Sequence, residues 1–161
     1  MTTLELSSTT FVARDPDWIF GELQDPRTLV NIVPGATLTR LTGPDSFEAR
    51  IAIGFGPLHS HLNGRGRITA SDPRRRTASL EVTGGAVTSL PPVRVRMAMA
   101  IAPRNEGAEI RMTFDVDMPT RASLAAHAVI DPIACDLVDR TTRRLKQQLE
   151  EAPVVPLPPA A

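Results

Sequence analysis

Hydrophobic and polar residues alternate along most of the chain between Ala36 and Met118. The pattern is clearest at 93–101 and 108–118, where every second residue is apolar and those between are mostly charged or small. A period of two is typical of a strand with one buried face. Breaks rich in glycine, proline and aspartate divide the region into six predicted strands. We therefore predict an antiparallel sheet with one dry face.

Two turns predict how neighbouring strands pair. Folding the chain about residues 103–107 places Met97 opposite Met112, with apolar side chains on one face and charged ones on the other. Folding it about residues 54–57 places Ile51 opposite Ser60 on the dry face. The predicted inward residues carry no charge; they are Phe47, Ile51, Ile53, Leu62, Leu80, Val95, Met97, Met99, Met112, Phe114 and Met118.

Helical signals lie on both sides of the predicted sheet region. Asp-Pro at 15–16 and at 25–26 predicts the N-termini of two short helices, which follow a first strand at 3–12. Residues 123–150 carry apolar side chains at helical spacing, which predicts a long amphipathic helix. Pro132 lies inside this segment and either kinks the helix or interrupts it.

Composition limits the classes of function. A chain of 161 residues can bury one core, and we predict a single domain at 1–150 followed by a flexible, proline-rich tail at 151–161. Positive and negative side chains number 18 each, which gives no bulk attraction to nucleic acid. The single cysteine, Cys135, excludes an internal disulfide. With neither a secretory-signal pattern nor an apolar run of about 20 residues, we expect a cytoplasmic protein.

Motifs for hydrolysis, phosphate binding or paired-cysteine chemistry do not occur in the sequence. Its carboxylates fall almost wholly at outward strand positions, helix caps and helix surfaces, so no buried acid–base pair is indicated. His59 and His61 have the spacing of a metal-binding pair. Strand alternation places both outward among arginines with no carboxylate in the row, and we therefore predict no metal site.

The order of elements resembles the helix-grip fold of the START and Bet v 1 superfamily, an α+β fold. In such proteins a curved antiparallel sheet of about seven strands grips a long C-terminal helix, with two short helices after the first strand. Within that superfamily, the motifs from about Phe11 to Glu150 resemble those of the carbon monoxide dehydrogenase G-subunit family. The motifs are Phe11-Val12-Ala13, Pro16, Trp18, Leu23, Asp25-Pro26, Leu29, Ile32-Val33-Pro34-Gly35-Ala36, Gly54, Gly56-Pro57 and Gly64.

The resemblance implies a non-catalytic binding protein rather than an enzyme. Its expected ligand is a lipophilic small molecule, a quinone or a lipid, bound non-covalently in an apolar cavity. Its expected partner is a molybdenum hydroxylase of the carbon monoxide dehydrogenase type, with at most peripheral contact at the inner face of the membrane. Two alternatives stay open: an enzyme resembling the polyketide cyclases and dehydratases, with His127 as acid or base, and an interaction module whose core is filled.

Candidate ligand-binding residues follow from the dry face together with this resemblance. His127 is the polar candidate: on a continuous helix it falls on the apolar stripe and could hydrogen-bond a quinone carbonyl. The competing interpretation is that the first helical turn projects past the sheet into solvent. The full set is Trp18, Ile32, Phe47, Ile51, Ile53, Leu62, Val95, Met97, Met99, Met112, Phe114, His127, Ile130 and Leu137.

Overall fold

The computed structural model describes residues 2–55, 58–86, 93–118 and 124–152. Within them, seven strands and three helices follow in the predicted order. The elements are β1 (Thr2–Val12), α1 (Pro16–Glu22), α2 (Pro26–Ile32), β2 (Ala36–Leu41), β3 (Ser46–Phe55), β4 (Leu58–Asp72), β5 (Thr77–Ala86), β6 (Val93–Arg104), β7 (Gly107–Met118) and α3 (Leu124–Glu151). The six strands predicted after the short helices are confirmed. The predicted tail from residue 153 onward lies outside the described residues.

All seven strands form one antiparallel sheet in the order β1-β7-β6-β5-β4-β3-β2. Each strand from β2 to β6 pairs with the next strand along the chain. β1 instead pairs with β7 and forms one edge of the sheet. Register shifts at 38–40 and at 68–70 interrupt the pairing of β2 and β5 with their neighbours, and such bulges bend a sheet.

The predicted register of the β6–β7 hairpin is wrong by two residues. Met97 lies opposite Phe114 rather than Met112, because β6 continues to Arg104 and β7 resumes at Gly107. The connection is thus a two-residue turn, tighter than the predicted loop. Since side chains alternate with a period of two, a shift of two leaves every residue on its predicted face.

The β3–β4 hairpin shows the same error. β3 continues to Phe55 and β4 resumes at Leu58, so Ile51 lies opposite Leu62 rather than Ser60. The prediction ended β3 two residues earlier, before a turn at 54–57, and began β4 at Leu58 as observed. Again the shift is even, and the predicted dry face is preserved.

The sequence makes predictions about the ends of α1 and α2 and about the continuity of α3. The Asp25 carboxylate accepts a hydrogen bond from the backbone N–H of Arg27 at 3.0 Å, which caps α2. Asp15 occupies the equivalent position before α1, but its side chain makes no such bond, contrary to the prediction. Helix α2 ends at Ile32 with Val33 as its C-cap, close to the predicted end. Helix α3 is continuous through Pro132, so Pro132 does not interrupt it; a kink at this residue stays a prediction.

The C-terminal half of α3 is tied to the start of the chain. The Arg14 guanidinium donates to the carbonyl oxygens of Glu150 and Ala152, at 2.5 and 2.8 Å. These are terminal helix carbonyls without a partner inside the helix. One turn earlier, Lys146 donates to the carbonyl of Phe11. These bonds fix the end of α3 over the edge of the sheet formed by β1.

The core lies between one part of the sheet, the two short helices and the C-terminal half of α3. It combines side chains from all of these elements, each at most 9% exposed. Its members are Val12, Ile19, Phe20, Leu23, Leu29, Ile32, Met99, Ile101, Ala108, Ile110, Met112, Phe114, Leu145 and Leu149. Burial of these apolar side chains is the main force that holds the helices against the sheet.

Phe47 packs its ring over a glycine on the neighbouring strand. A Cβ built at Gly66 would lie 2.2 Å from Cζ of Phe47, whose side chain is only 4% exposed. Gly66→Ala should therefore displace the ring and lower the free energy of unfolding by about 1–3 kcal/mol, measured by urea denaturation. Gly85→Ala is the matched control, because a Cβ there meets no atom within 4 Å. Equal stability of the two variants would contradict the ring's role.

Candidate ligand-binding site

The sheet side that faces the helices, here called the inner face, is mostly apolar. Cross-strand pairs such as Ile51 with Leu62, and Met97 with Phe114, place the predicted inward residues on this one side. Charged side chains of β6 and β7 lie on the opposite, outer face, where Arg96 pairs with Asp117 at 3.1 Å. The inner face is therefore an apolar surface on the side of the sheet that faces the helices.

The inner face divides into two parts by burial. In the sealed half, Met99, Met112 and Phe114 are buried beneath the short helices and the end of α3, together with other core residues. In the open half, the apolar side chains are only partly buried; they are Ile51, Leu62, Val82, Val95 and Met97. Partly exposed apolar side chains on one face of a sheet suit a binding site for an apolar molecule.

The predicted site residues distribute over both halves. Ile32 and Phe47 are buried, at 2% and 4% exposure; Ile32 belongs to the core of the sealed half, whereas Phe47 lies over Gly66 of β4 outside that core. Trp18 is partly buried, and the Arg14 guanidinium lies 5.7 Å from its ring centre. Leu137 of α3 is partly exposed. The structure thus brings the sheet residues together on one face and sets Trp18 and Ile32 on the short helices beside the sealed half.

Three predicted residues have side chains outside the described part of the chain. Ile53 lies in β3, where its backbone pairs with Ser60, and both His127 and Ile130 lie in α3. The position of the His127 imidazole relative to the inner face therefore stays a prediction. The same holds for the cyclase-like alternative that depends on it.

A small pocket lies where the turn between α1 and α2 covers the sheet. The space it encloses is about 10 Å³, room for roughly one water molecule, which is far below the roughly 300–1,000 Å³ of typical ligand pockets. The lining residues are Leu23, Gln24, Leu29, Ile68, Ala78, Ser79, Leu80, Met97 and Met99. Because Met97 also belongs to the open half, the pocket adjoins the partly exposed surface.

Gln24 lines this pocket, a position that the sequence did not reveal. Its Oε1 accepts a hydrogen bond from the Ser71 hydroxyl at 2.9 Å, whereas its Nε2 is buried without any hydrogen-bond partner. A glutamine in a turn between two helices usually indicates a solvated side chain. Only the tertiary arrangement, which places this turn over β4 and β5, brings its amide among apolar side chains.

The outer face shows no candidate metal site within the described residues. They contain no cluster of three or more histidine, cysteine, aspartate or glutamate side chains. His61 is exposed and lies opposite Ala52. Asp117 is a buried carboxylate, but the Thr3 hydroxyl donates to it at 2.7 Å and Arg96 pairs with it, so its environment is that of a satisfied structural group.

No helix in the described part of the chain combines the length and apolar content needed to cross a bilayer. The 28 residues of α3 would be long enough, but its charged side chains include the ion pair of Asp136 with Arg140 at 3.6 Å. In the C-terminal half of α3, buried Thr141, Leu145 and Leu149 lie on one side, and exposed residues lie between them, which is the predicted amphipathic pattern.

A curved antiparallel sheet with two short helices after its first strand and a long helix at its C-terminal end defines a START/Bet v 1-like protein of the helix-grip fold. The predicted fold is confirmed. Within this class, the chain belongs to the carbon monoxide dehydrogenase G-subunit (CoxG) family, whose model matches residues 9–150. The resemblance inferred from the Asp-Pro, Pro-Gly and Gly-Pro motifs is thus also confirmed.

Solved structures with the same fold come from bacteria and plants. A conserved protein from Geobacillus kaustophilus aligns with a TM-score of 0.75 at 16% identity, over 91% of this chain and 95% of that one. The Zhui aromatase/cyclase from Streptomyces sp. R1128 aligns at 0.69 and 15%, over 92% and 94%. Truncated norcoclaurine synthase from Thalictrum flavum aligns at 0.66 and 15%, over 94% and 96%. No curated protein matches the sequence. Identities this low establish the fold alone.

Proposed function

We propose that the chain binds a lipophilic small molecule, a quinone or a lipid, between the open half of the inner face and α3. The observation that carries this proposal is the partial exposure of Ile51, Leu62, Val82, Val95 and Met97 beside a sealed core. A filled core would bury these side chains as completely as it buries Met112. Covering them with a ligand gains roughly 25 cal/mol for each Å² removed from water.

The side chains of this surface suit a flexible or planar apolar ligand. Met97 of the open half is unbranched and polarizable, so it can adapt to a ring or to an isoprenoid chain. Charged residues are absent from the described inner face, which favours a molecule that is itself uncharged. Both properties agree with a quinone or a neutral lipid.

We further propose that the chain serves a molybdenum hydroxylase of the carbon monoxide dehydrogenase type. Membership of the CoxG family supports this role. A binding protein with an enclosed lipophilic electron acceptor would give such an enzyme access to a molecule that is poorly soluble in water. The test is to mix the quinone-loaded chain with the hydroxylase and its substrate. Quinone reduction should exceed that with free quinone, and equal rates would contradict the accessory role.

The ligand proposal is tested by extraction and by thermal shift. Purified protein, prepared without detergent, is extracted with organic solvent and examined by mass spectrometry for quinones and lipids. A short-chain quinone analogue at a free concentration of about 100 times its dissociation constant should raise Tm by about 5–10 °C. Empty extracts together with an unchanged Tm for quinone and lipid analogues would refute the proposal.

A further inference from the structure

Four exposed arginine side chains, here called the basic cluster, lie close together on the outer face of β2, β3 and β4. They are Arg40, Arg50, Arg65 and Arg67. Cross-strand pairing places Arg40 opposite Glu48, and Glu48 in turn opposite Arg65. Arg50 and Arg67 occupy the rows on either side of this one. From the usual strand spacing and rise per residue, the four positions lie within about 10 Å by 13 Å.

Ion pairing distinguishes the basic cluster from the other side of the sheet. Every arginine of β6 and β7 has a carboxylate oxygen at 3.1 to 3.7 Å; the pairs are Arg94–Glu81, Arg96–Asp117, Arg104–Glu109 and Arg111–Glu109. In the cluster, only Arg65 has such a pair among the described residues, with Glu48 at 3.7 Å. Glu81 lies opposite Arg67 but pairs with Arg94 instead. Positive charge is therefore concentrated on β2, β3 and β4, although the whole chain has 18 positive and 18 negative side chains.

This concentration of charge works against the stability of the isolated chain. Like charges at neighbouring positions on one face of a sheet repel each other, and Arg65 and Arg67 lie two residues apart on β4. A carboxylate in place of Asn63, which lies opposite Arg50, would relieve part of this repulsion. The sequence leaves the charges uncompensated, and a surface of this kind attracts and orients a partner of the opposite charge.

The surroundings of the basic cluster favour a protein over a membrane as this partner. Arginine binds the carboxylates of proteins and the phosphates of lipids equally well. However, firm attachment to a bilayer combines charge with a buried apolar group, and the neighbours of the cluster are polar: Thr37, Ser46 and Asn63. A membrane against the outer face would also hold the open half of the inner face away from the bilayer. A protein docked there leaves the open half accessible to a lipophilic ligand.

We propose that the basic cluster docks the chain onto an acidic surface of the molybdenum hydroxylase that it serves. The arginines form ion pairs with aspartate and glutamate carboxylates of that enzyme, and these pairs mainly set the rate of association and its salt dependence. The inference rests on the proposed function and adds to it a docking surface and the chemistry of the surface it meets. Ligand and partner then use opposite faces of the same strands, so the two binding events are separable.

The experiment measures binding of the full chain to the purified hydroxylase by biolayer interferometry at increasing salt concentration. Wild-type affinity should fall as salt screens the charges. Arg50→Glu/Arg67→Glu should weaken binding at least about tenfold, and the milder Arg50→Gln/Arg67→Gln about threefold. The matched control is Arg27→Glu/Arg143→Glu, which makes the same change in net charge at exposed positions of α2 and α3 and should bind like the wild type. Circular dichroism checks that each variant is folded.

Two results would overturn the assignment of the docking surface. One is wild-type affinity in a folded Arg50→Glu/Arg67→Glu variant, and the other is an equal loss of affinity in the control variant. A second arm uses vesicles of equal parts phosphatidylglycerol and phosphatidylcholine. If the charge reversal abolishes vesicle binding but leaves hydroxylase binding unchanged, the cluster binds lipid, and the proposal is wrong.

Failure of the proposed function gives a different result. If the wild-type chain does not bind the hydroxylase even at low salt, the accessory role fails and the docking surface fails with it. The ligand proposal is tested separately, because the rise in Tm produced by a quinone analogue should be the same in the wild type and in Arg50→Glu/Arg67→Glu.

Discussion

Truncation of Leu145 to alanine is expected to lower the free energy of unfolding by about 2–5 kcal/mol. Leu145 is 0% exposed and belongs to the cluster that joins α3 to the sheet and to the short helices. The bonds from Arg14 and Lys146 hold this end of α3 in place, so the surroundings can collapse only partly into the cavity. Urea denaturation followed by circular dichroism measures the loss.

Leu137→Ala is the matched control for this prediction. Leu137 lies two turns earlier on the same helix but is only partly buried. Its truncation removes less buried surface, and the expected loss of stability is about 1 kcal/mol. However, Leu137→Ala should reduce the rise in Tm that a quinone analogue produces. If Leu137→Ala destabilises the unliganded protein as much as Leu145→Ala does, the division between a sealed and an open half is wrong.

The fold could be predicted from the sequence because strand alternation survives errors in register. The predicted and observed pairs differ by two residues in both the β3–β4 and β6–β7 hairpins, yet all assignments to the inner face in them are unchanged. The register itself depends on how tightly each turn closes. Asn105 takes a φ of 49° in the β6–β7 turn, a left-handed conformation that asparagine tolerates but that apolar patterning does not indicate.

The division of the inner face could not be predicted from that alternation. Met97 and Met112 occupy equivalent positions in the apolar pattern, but only Met112 is fully buried. What distinguishes them is which helix lies above each one, and this depends on the path of α1, α2 and α3 over the sheet. The inward orientation of Gln24 has the same origin. Periodicity therefore identifies the candidate surface, whereas tertiary packing decides which part of it remains available to a ligand.

A charge introduced at Val95 should abolish ligand binding without unfolding the protein. Val95 is partly exposed at the centre of the open half, between Val82 and Val116 on the neighbouring strands. In the unliganded protein, an aspartate at this position keeps part of its hydration. A lipophilic ligand would remove that water from the carboxylate, and the desolvation cost should weaken binding at least about tenfold.

Ala98→Asp separates this effect from a general disturbance of the strand. Ala98 lies on β6 three residues further along, on the outer face, and is exposed. Both variants place the same residue, of poor strand propensity, in the same strand. Titration of a quinone analogue by calorimetry should then show weakened binding for Val95→Asp and near wild-type binding for Ala98→Asp. If a folded Val95→Asp variant binds the analogue as tightly as the wild type, the ligand does not cover the open half, because no lipophilic molecule could lie there without desolvating the carboxylate.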